Sequence, residues 1–397
     1  MSFSRYALLP ELLSALEKEG ILVPTTVQEK AIPALFEKDN LLVQAETGTG
    51  KTLAFLLPLL SSIDQNKNQN QVIVLAPTHE LAMQTKNTAS RLVKNANLPI
   101  RVQALIGNVS VRRQLEGLKE KPHLIVGTPG RIADLLVQKK IKGHTIKTIV
   151  FDEADVLFHQ EKKQTIEALL STLMKDTRLL FFSATYSDKS LQMMRSFSPE
   201  LQKVIVAESG VMKNKITHIY YVAQDVRDKF KLLVKVLGRE NPSRAMIFIG
   251  ANTDALMLSR RLAKEGFPAL ILHGKQQKEE RKSALEGFRQ ARQKLLIASD
   301  MAARGLDVPD VSHIYHYHLP ENPKVYLHRA GRTGRAGALG TCVSLAGRSE
   351  LRVLSVFEKE LSITFKNGNT GEGLKADMAP RKKAEQAVKS SPDTVDK

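Results

Sequence analysis

The residues most able to do chemistry form one short string, Ala45-Glu46-Thr47-Gly48-Thr49-Gly50-Lys51-Thr52. It follows the apolar run LLVQ and opens a helical pattern that begins at Lys51. Glycines at such a turn let backbone N–H groups face phosphate oxygens, and the helix N-terminus adds partial positive charge. The string fits a phosphate-binding loop, with Ala45 in place of the first glycine. Lys51 then reaches the β- and γ-phosphates, and Thr52 ligates Mg2+. A plain glycine-rich strand–helix turn does not account for Gly50-Lys51-Thr52 in this setting. A second acidic element stands in KTIVFDEAD, where a buried-type strand ends at Asp152 and Glu153. Asp152 suits the metal, and Glu153 suits positioning or activating an attacking water. By itself the acidic pair is also a helix start, because carboxylates stabilise helix N-termini.

Positioning these groups requires a sheet whose strand ends meet. The runs LLVQ, QVIVLA, HLIVG, KTIVF and LLFFS each precede an amphipathic stretch. Strands apolar on both faces and separated by helices indicate a parallel sheet covered on both sides. The alternation pauses over polar residues 208–215 and resumes with THIYYVA, AMIFIG, ALILH and KLLIAS. The expectation is an α/β chain with one unit over 1–207, a linker over 208–215 and a second unit over 216–365. Residues 366–397 are poor in large apolar side chains and read as a flexible basic tail.

Composition narrows the function. The chain has 397 residues, 42% hydrophobic and 25% charged, which suits about two or three globular domains. The 59 Lys and Arg against 41 Asp and Glu leave +18, which points to a polyanion. Cys342 stands alone, which rules out an intramolecular disulfide and a Cys-rich zinc site, and fits a reducing cytoplasm. The apolar stretch Leu53–Ile63 is too short to span a bilayer, and Glu11, Glu17 and Lys18 interrupt any secretory signal. Nucleic acid is therefore the leading partner.

Further strings carry a family resemblance. PTTVQ (Pro24–Gln28), PTHELA (Pro77–Ala82), DEAD (Asp152–Asp155) and TPGR (Thr128–Arg131) occur together with the phosphate loop. SAT (Ser183–Thr185), ASDMAARGLD (Ala298–Asp307) and HRAGRTGR (His328–Arg335) complete the set. Over about Phe3 to Ser355 the chain resembles the DEAD-box ATP-dependent RNA helicases, compact bacterial members in particular. The resemblance implies tandem RecA-like domains with parallel sheets, ATP and Mg2+ as cofactors, and RNA held mainly by its sugar-phosphate backbone.

It also assigns roles. Gln28 would recognise adenine through paired donor and acceptor, with Phe3 helping to cover the base; alone, Gln28 reads as a surface glutamine. Thr78, Thr128, Gly130 and Arg131 would contact RNA phosphates and sugars, although Thr128-Pro129 is also a good helix start. Ser183 and Thr185 would link nucleotide state to RNA separation, or cap a helix. Arg332 and Arg335 would reach the γ-phosphate as arginine fingers. His328 and Arg329 would support coupling; for Arg329 a basic RNA-binding turn is the rival role. Asp307 would accept from the ATP ribose. Ser299, Asp300 and Gly305 would touch RNA and sense closure.

Several residues depart from the pattern. His79 stands for a usual arginine, Asn108 for a glycine, and Lys278 for a glutamine. His316 and His318 stand for an asparagine and an aspartate. With His313 the last two suggest a metal site or, better, a strand facing RNA or the other domain. The expected function is an RNA-stimulated ATPase that locally unwinds short duplexes or remodels ribonucleoprotein. The alternatives are an ATP-gated RNA clamp with slow hydrolysis and a DNA translocase on the same core. A monomeric core, a cytoplasmic location, little built-in targeting, and ribosome-assembly or RNA-decay partners complete the expectation.

Overall fold

The computed structural model describes the chain apart from residues 1, 38–39, 46–47, 108–109, 207–215, 224–225, 251–253, 274–275, 304–307, 309, 335–337 and 375–397. The described residues hold two parallel sheets of seven strands each. The linker expected over 208–215 lies outside them.

The first sheet contains β1 (Leu41–Gln44), β2 (Val72–Leu75), β3 (Val102–Leu105), β4 (Leu124–Gly127), β5 (Thr148–Asp152), β6 (Arg178–Ser183) and β7 (Gln202–Ile205). Their order is β3-β4-β2-β5-β6-β1-β7. Side chains alternate across the sheet as the pleat requires. Leu41, Val43, Val72 and Val74 pack into one apolar cluster with helices α1 (Pro10–Lys18), α2 (Thr26–Glu37), α3 (Lys51–Ser62) and α4 (His79–Asn95). Leu42, Ile73, Leu75 and Phe151 pack into the other. That face is covered by α5 (Val111–Lys119), α6 (Pro129–Val137), α7 (Ala154–Leu157), α8 (Lys163–Leu170) and α9 (Asp188–Phe197). The apolar stretch from Leu53 lies in α3, where Phe55, Leu56, Leu57 and Leu60 are 0% exposed. Each such side chain contributes about 1.5–3 kcal/mol by leaving water. This stretch is a core helix. Among the described residues no helix is long and apolar enough to cross a membrane.

The second sheet contains β8 (Ile216–Ala223), β9 (Ala245–Ile249), β10 (Ala269–Leu272), β11 (Leu295–Ser299), β12 (His313–His316), β13 (Gly340–Gly347) and β14 (Phe365–Asn367), in the order β10-β11-β9-β12-β13-β8-β14. Its helices are α10 (Val226–Glu240), α11 (Ala255–Lys264), α12 (Lys278–Arg289), α13 (Asp300–Ala303), α14 (Pro323–Ala330) and α15 (Leu351–Leu361).

The start of the expected tail needs correction. Phe365–Asn367 pairs in parallel with His218–Tyr220 as the edge strand β14. Lys366 then bridges to Gly373, and Leu374 is 2% exposed. Asn367 shapes the turn between, its side chain accepting from the amides of Asn369 at 2.8 Å and Thr370 at 3.3 Å. Gly368 is required there, since a Cβ would lie 2.1 Å from the Tyr221 ring. A count of apolar residues misses this element because one buried phenylalanine anchors it, against Tyr326 at 5.5 Å and His218 at 5.8 Å. The rest of the expected tail, with Arg381–Lys383, lies outside the described residues.

Candidate active site

In parallel α/β sheets, ligands bind beyond the carboxyl ends of the strands. In the first sheet β5, β6 and β1 are neighbours, so their ends bring together Asp152, Ser183 and the loop that starts at Ala45. The Ala45 amide donates to the Ser183 carbonyl at 3.0 Å, which fixes where the loop leaves the sheet. Gly48 has φ 78° and Gly50 has φ 97°, both left-handed. Gly50 is the N-cap of α3; its left-handed φ favours glycine, and a Cβ there would lie 2.6 Å from Gln28 Nε2 and press on its bond to the loop. Glu46 and Thr47 lie outside the described residues.

Gln28 is 2% exposed, so it is not a surface glutamine. Its amide donates to the Gly50 carbonyl at 3.1 Å and accepts from the Thr25 amide at 2.9 Å. The side chain thus tethers the loop to the start of α2. Each amide atom keeps one further hydrogen-bonding position. Phe3 is 3% exposed, packed edge-on to Tyr6 within the apolar cluster. Its ring packs within that core cluster beside α2 and α3.

Lys51 begins α3 and is 7% exposed. Its Nζ is buried and has no hydrogen-bond partner among the described residues. An unpaired buried ammonium is destabilising, so this position suits a polyanion such as a triphosphate. Thr52 follows, half-buried in the first turn, beside the half-buried Thr49. Asp152 is 4% exposed and accepts from the Glu153 amide at 3.0 Å. Burial pushes its carboxyl up to about 7; Glu153 adds to the rise, and the Lys51 ammonium opposes it. A divalent cation would favour the ionised form, so Asp152 and Thr52 fit Mg2+ as ligands. Glu153 itself adopts a left-handed φ of 51°, which turns the chain from the strand into α7.

Asp155 has no role in the sequence reading, yet it organises the neighbouring element. Ser183 donates to its Oδ1 at 2.8 Å, Thr185 donates to Oδ2 at 3.3 Å, and the Asp155 amide donates to Ser183 Oγ at 3.3 Å. Ser183 also bonds the Thr185 carbonyl. Locally Asp155 looks like any helix-start carboxylate. Its partner lies 28 residues along the chain, which no local pattern reports.

Thr78 caps α4, accepting from the Leu81 amide at 3.2 Å. His79 lies against Gly107, whose Cβ position is 3.1 Å from the imidazole. Thr128 stands at the N-cap of α6 without a side-chain cap bond, so the capping expected of it is not made. Gly130 is exposed with open space around it, and Arg131 Nε is buried without a partner among the described residues. That arrangement suits an anion at the start of α6.

In the second sheet, β11 ends at Ser299, 8% exposed, directly before Asp300. Arg329 forms a two-pronged pair with Asp300 at 2.6 and 2.7 Å and donates to the His318 carbonyl at 2.7 Å. It is 3% exposed and lies over the Phe248 ring, so it is an internal clamp and not an RNA-facing turn residue. Arg332 is 8% exposed and donates to the carbonyl of the half-buried His328 at 3.2 Å. Gly305, Asp307 and Arg335 lie outside the described residues, as do Asn108 and the Lys278 side chain. The three histidines near β12 do not share one face of the strand. His316 is 0% exposed and bonds Ser344, and it points to the opposite face from His313. Among the described residues no His, Cys, Asp or Glu group could hold a metal by itself.

Residues 25–194 match the DEAD/DEAH box helicase family, and residues 228–337 match the helicase conserved C-terminal domain. The chain is 37% identical over 374 residues to the DEAD-box ATP-dependent RNA helicase CshC of Bacillus cereus, covering 94% of each. To the DEAD-box ATP-dependent RNA helicase CshB of Bacillus subtilis it is 33% identical over 395 residues, covering 99% of this chain and 90% of that one. Dbp5 of S. cerevisiae, solved bound to RNA and ADP BeF3, superposes with a TM-score of 0.84 at 32% identity, covering 92% of this chain and 95% of that one. The chain belongs to the DEAD-box family of ATP-dependent RNA helicases. The tandem RecA-like fold expected from the sequence is the fold observed.

Proposed function

We propose that the chain binds ATP with Mg2+ and uses its RNA-stimulated hydrolysis to separate short RNA duplexes or remodel ribonucleoprotein. The observation that carries this reading is the buried Lys51 ammonium, without a hydrogen-bond partner among the described residues, at the strand edge that also holds Asp152 and Glu153. In this reading Lys51 holds the β- and γ-phosphates, and Thr52 and Asp152 hold the metal. Glu153 positions the attacking water, and Gln28 reads adenine through its remaining amide positions. Arg332 and Arg335 neutralise charge on the transferring phosphoryl group.

Thr78, Thr128, Gly130, Arg131, Ser299 and Gly305 serve the RNA backbone. Asp307 serves the ribose. Ser183, Thr185, Asp300, His328 and Arg329 transmit nucleotide state. RNA is gripped by phosphates and 2′-hydroxyls, as shape-based recognition requires. The same reading places the protein in the cytoplasm as a monomer that works with ribosome-assembly or RNA-decay machinery. The test is ATP turnover in the presence of RNA and of DNA of equal sequence. Stimulation by RNA alone supports the reading; equal stimulation by both, or by neither, rejects it.

A further inference from the structure

His318 occupies a junction that the phosphoryl-transfer chemistry does not use. It follows β12 at the carboxyl edge of the second sheet. Its ring Nδ1 accepts from the Gly250 amide, just past the end of β9, at 3.2 Å. Its carbonyl accepts from Arg329 Nη1 at 2.7 Å. Arg329 in turn grips Asp300, the residue after β11, with two bonds. One residue therefore joins the ends of three neighbouring strands, β11, β9 and β12, through the guanidinium of α14.

The ring can play this part in only one protonation state. An Nδ1 that accepts from an amide carries no proton, so the ring is the neutral tautomer with its proton on Nε2. Protonation would place an N–H at Nδ1 against the Gly250 N–H and break the bond. It would also add a cation to a positive neighbourhood. Burial disfavours the charged ring first, and Lys229 of α10 and Arg329 of α14, which both face it, add to that. Glu350, just before α15, opposes them, but it is already paired with Lys229 at 2.7 Å and accepts the Gly347 amide at 2.7 Å. Asp300 is engaged by Arg329.

We propose that His318 is a positioning residue whose neutral imidazole holds the end of β9 to the Arg329–Asp300 clamp, making the coupling of ATP turnover to RNA sensitive to acid. This rests on the RNA-stimulated ATPase reading above. A neutral side chain with an oxygen acceptor at the same reach should replace the ring and abolish the sensitivity, which makes His318→Asn the informative variant.

The experiment measures ATP turnover of the full chain, with and without RNA, from about pH 7.5 to about pH 5. Wild-type stimulation by RNA is expected to fall roughly tenfold across that range, more steeply than unstimulated turnover. His318→Asn is expected to keep wild-type stimulation within about twofold at the upper pH and to lose most of the acid decline. His318→Leu, which cannot accept the Gly250 amide, is expected to show low stimulation throughout with ATP affinity retained. An acid decline in His318→Asn as steep as in wild type overturns the proposal, whatever the fate of the leucine variant. Wild-type protein that gains nothing from RNA at any pH overturns the functional reading itself, and this proposal with it.

Discussion

The Asp155 carboxylate and the Ser183 hydroxyl meet at 2.8 Å, and this bond helps tie the acidic turn after β5 to the turn after β6. Thr185 reaches the other oxygen of the same carboxylate. The residues that would hold metal and water therefore share a backbone turn with the residue that anchors Ser183 and Thr185. A shift of the Asp152-Glu153 turn is carried to the second turn through one residue, Asp155.

Asp155→Ala is expected to separate the two turns. Removing the acceptor takes one bond from each hydroxyl, although Ser183 keeps its bond to the Thr185 carbonyl, so the cost in stability should stay near about 1 kcal/mol. ATP turnover should stay within about threefold of wild type, while RNA duplex separated per ATP consumed should drop roughly tenfold or more. Parallel loss of hydrolysis and unwinding would assign Asp155 to catalysis instead.

Lys51→Ala is expected to lose at least about a hundredfold in ATP turnover, because the described loop holds no second cation at that place. The same change removes a buried ammonium that has no hydrogen-bond partner among the described residues. Thermal stability without nucleotide should therefore be equal to wild type or higher, as at other sites that trade stability for function. A variant that melts well below wild type would show that Lys51 supports the fold.

Acid should loosen the second unit. The His218 Nδ1 meets the Tyr326 hydroxyl at 2.6 Å, and burial lowers its pKa from 6.5 to about 4. The folded state takes up this proton less readily than the unfolded state. The associated stability is thus complete above about pH 6.5 and is lost as pH falls toward 4, by about 3 kcal/mol. His316 is lowered too, by burial first and then by Arg329 and His218, and adds in the same direction. Five of the seven tyrosines lie in this unit, so tyrosine fluorescence follows its urea unfolding. His218→Gln should flatten the acid dependence; a midpoint that still falls as in wild type would remove His218 from the account.

The carboxyl-terminal correction predicts a sharp boundary. A chain ending at residue 374 should match the full chain in urea unfolding. A chain ending at residue 364 loses β14 and uncovers β8, with about 3–5 kcal/mol withdrawn by the missing phenylalanine alone. Equal midpoints for the two truncations would mean that β14 contributes nothing to the unit.

The central strands were legible because they are buried on both faces: VIVL, LIVG and TIVFD leave only one reading. The edges were not. β3 (VQAL) is half-buried, and β7 (QKVI) is mostly exposed, so neither shows a continuous apolar run. β13 reads GTCVSLAG, and its buried Ser344 disguises a core strand. Lys51, Asp152 and Glu153 were found because loop and strand-end chemistry is local. Asp155–Ser183, Arg329–Asp300 and His318–Gly250 were hidden because each joins segments far apart in sequence. The burial of Phe3 and Arg329 was hidden for the same reason: exposure is set by packing partners that a motif does not contain.

The strand order has a temporal side. β1 carries the phosphate loop but pairs only with β6 and β7, the last strands of its sheet. Contacts between segments so distant are the slow ones to form, because chain entropy must be surrendered before they repay it. A chain growing from its amino end holds the whole Ala45–Thr52 string long before Arg178–Ser183 exists to receive Leu41–Gln44. Until then the Ala45 amide lacks its acceptor and the loop has no sheet edge to spring from. Affinity for nucleotide is therefore among the last properties the first unit acquires, and a nascent or prematurely ended chain is silent rather than half active.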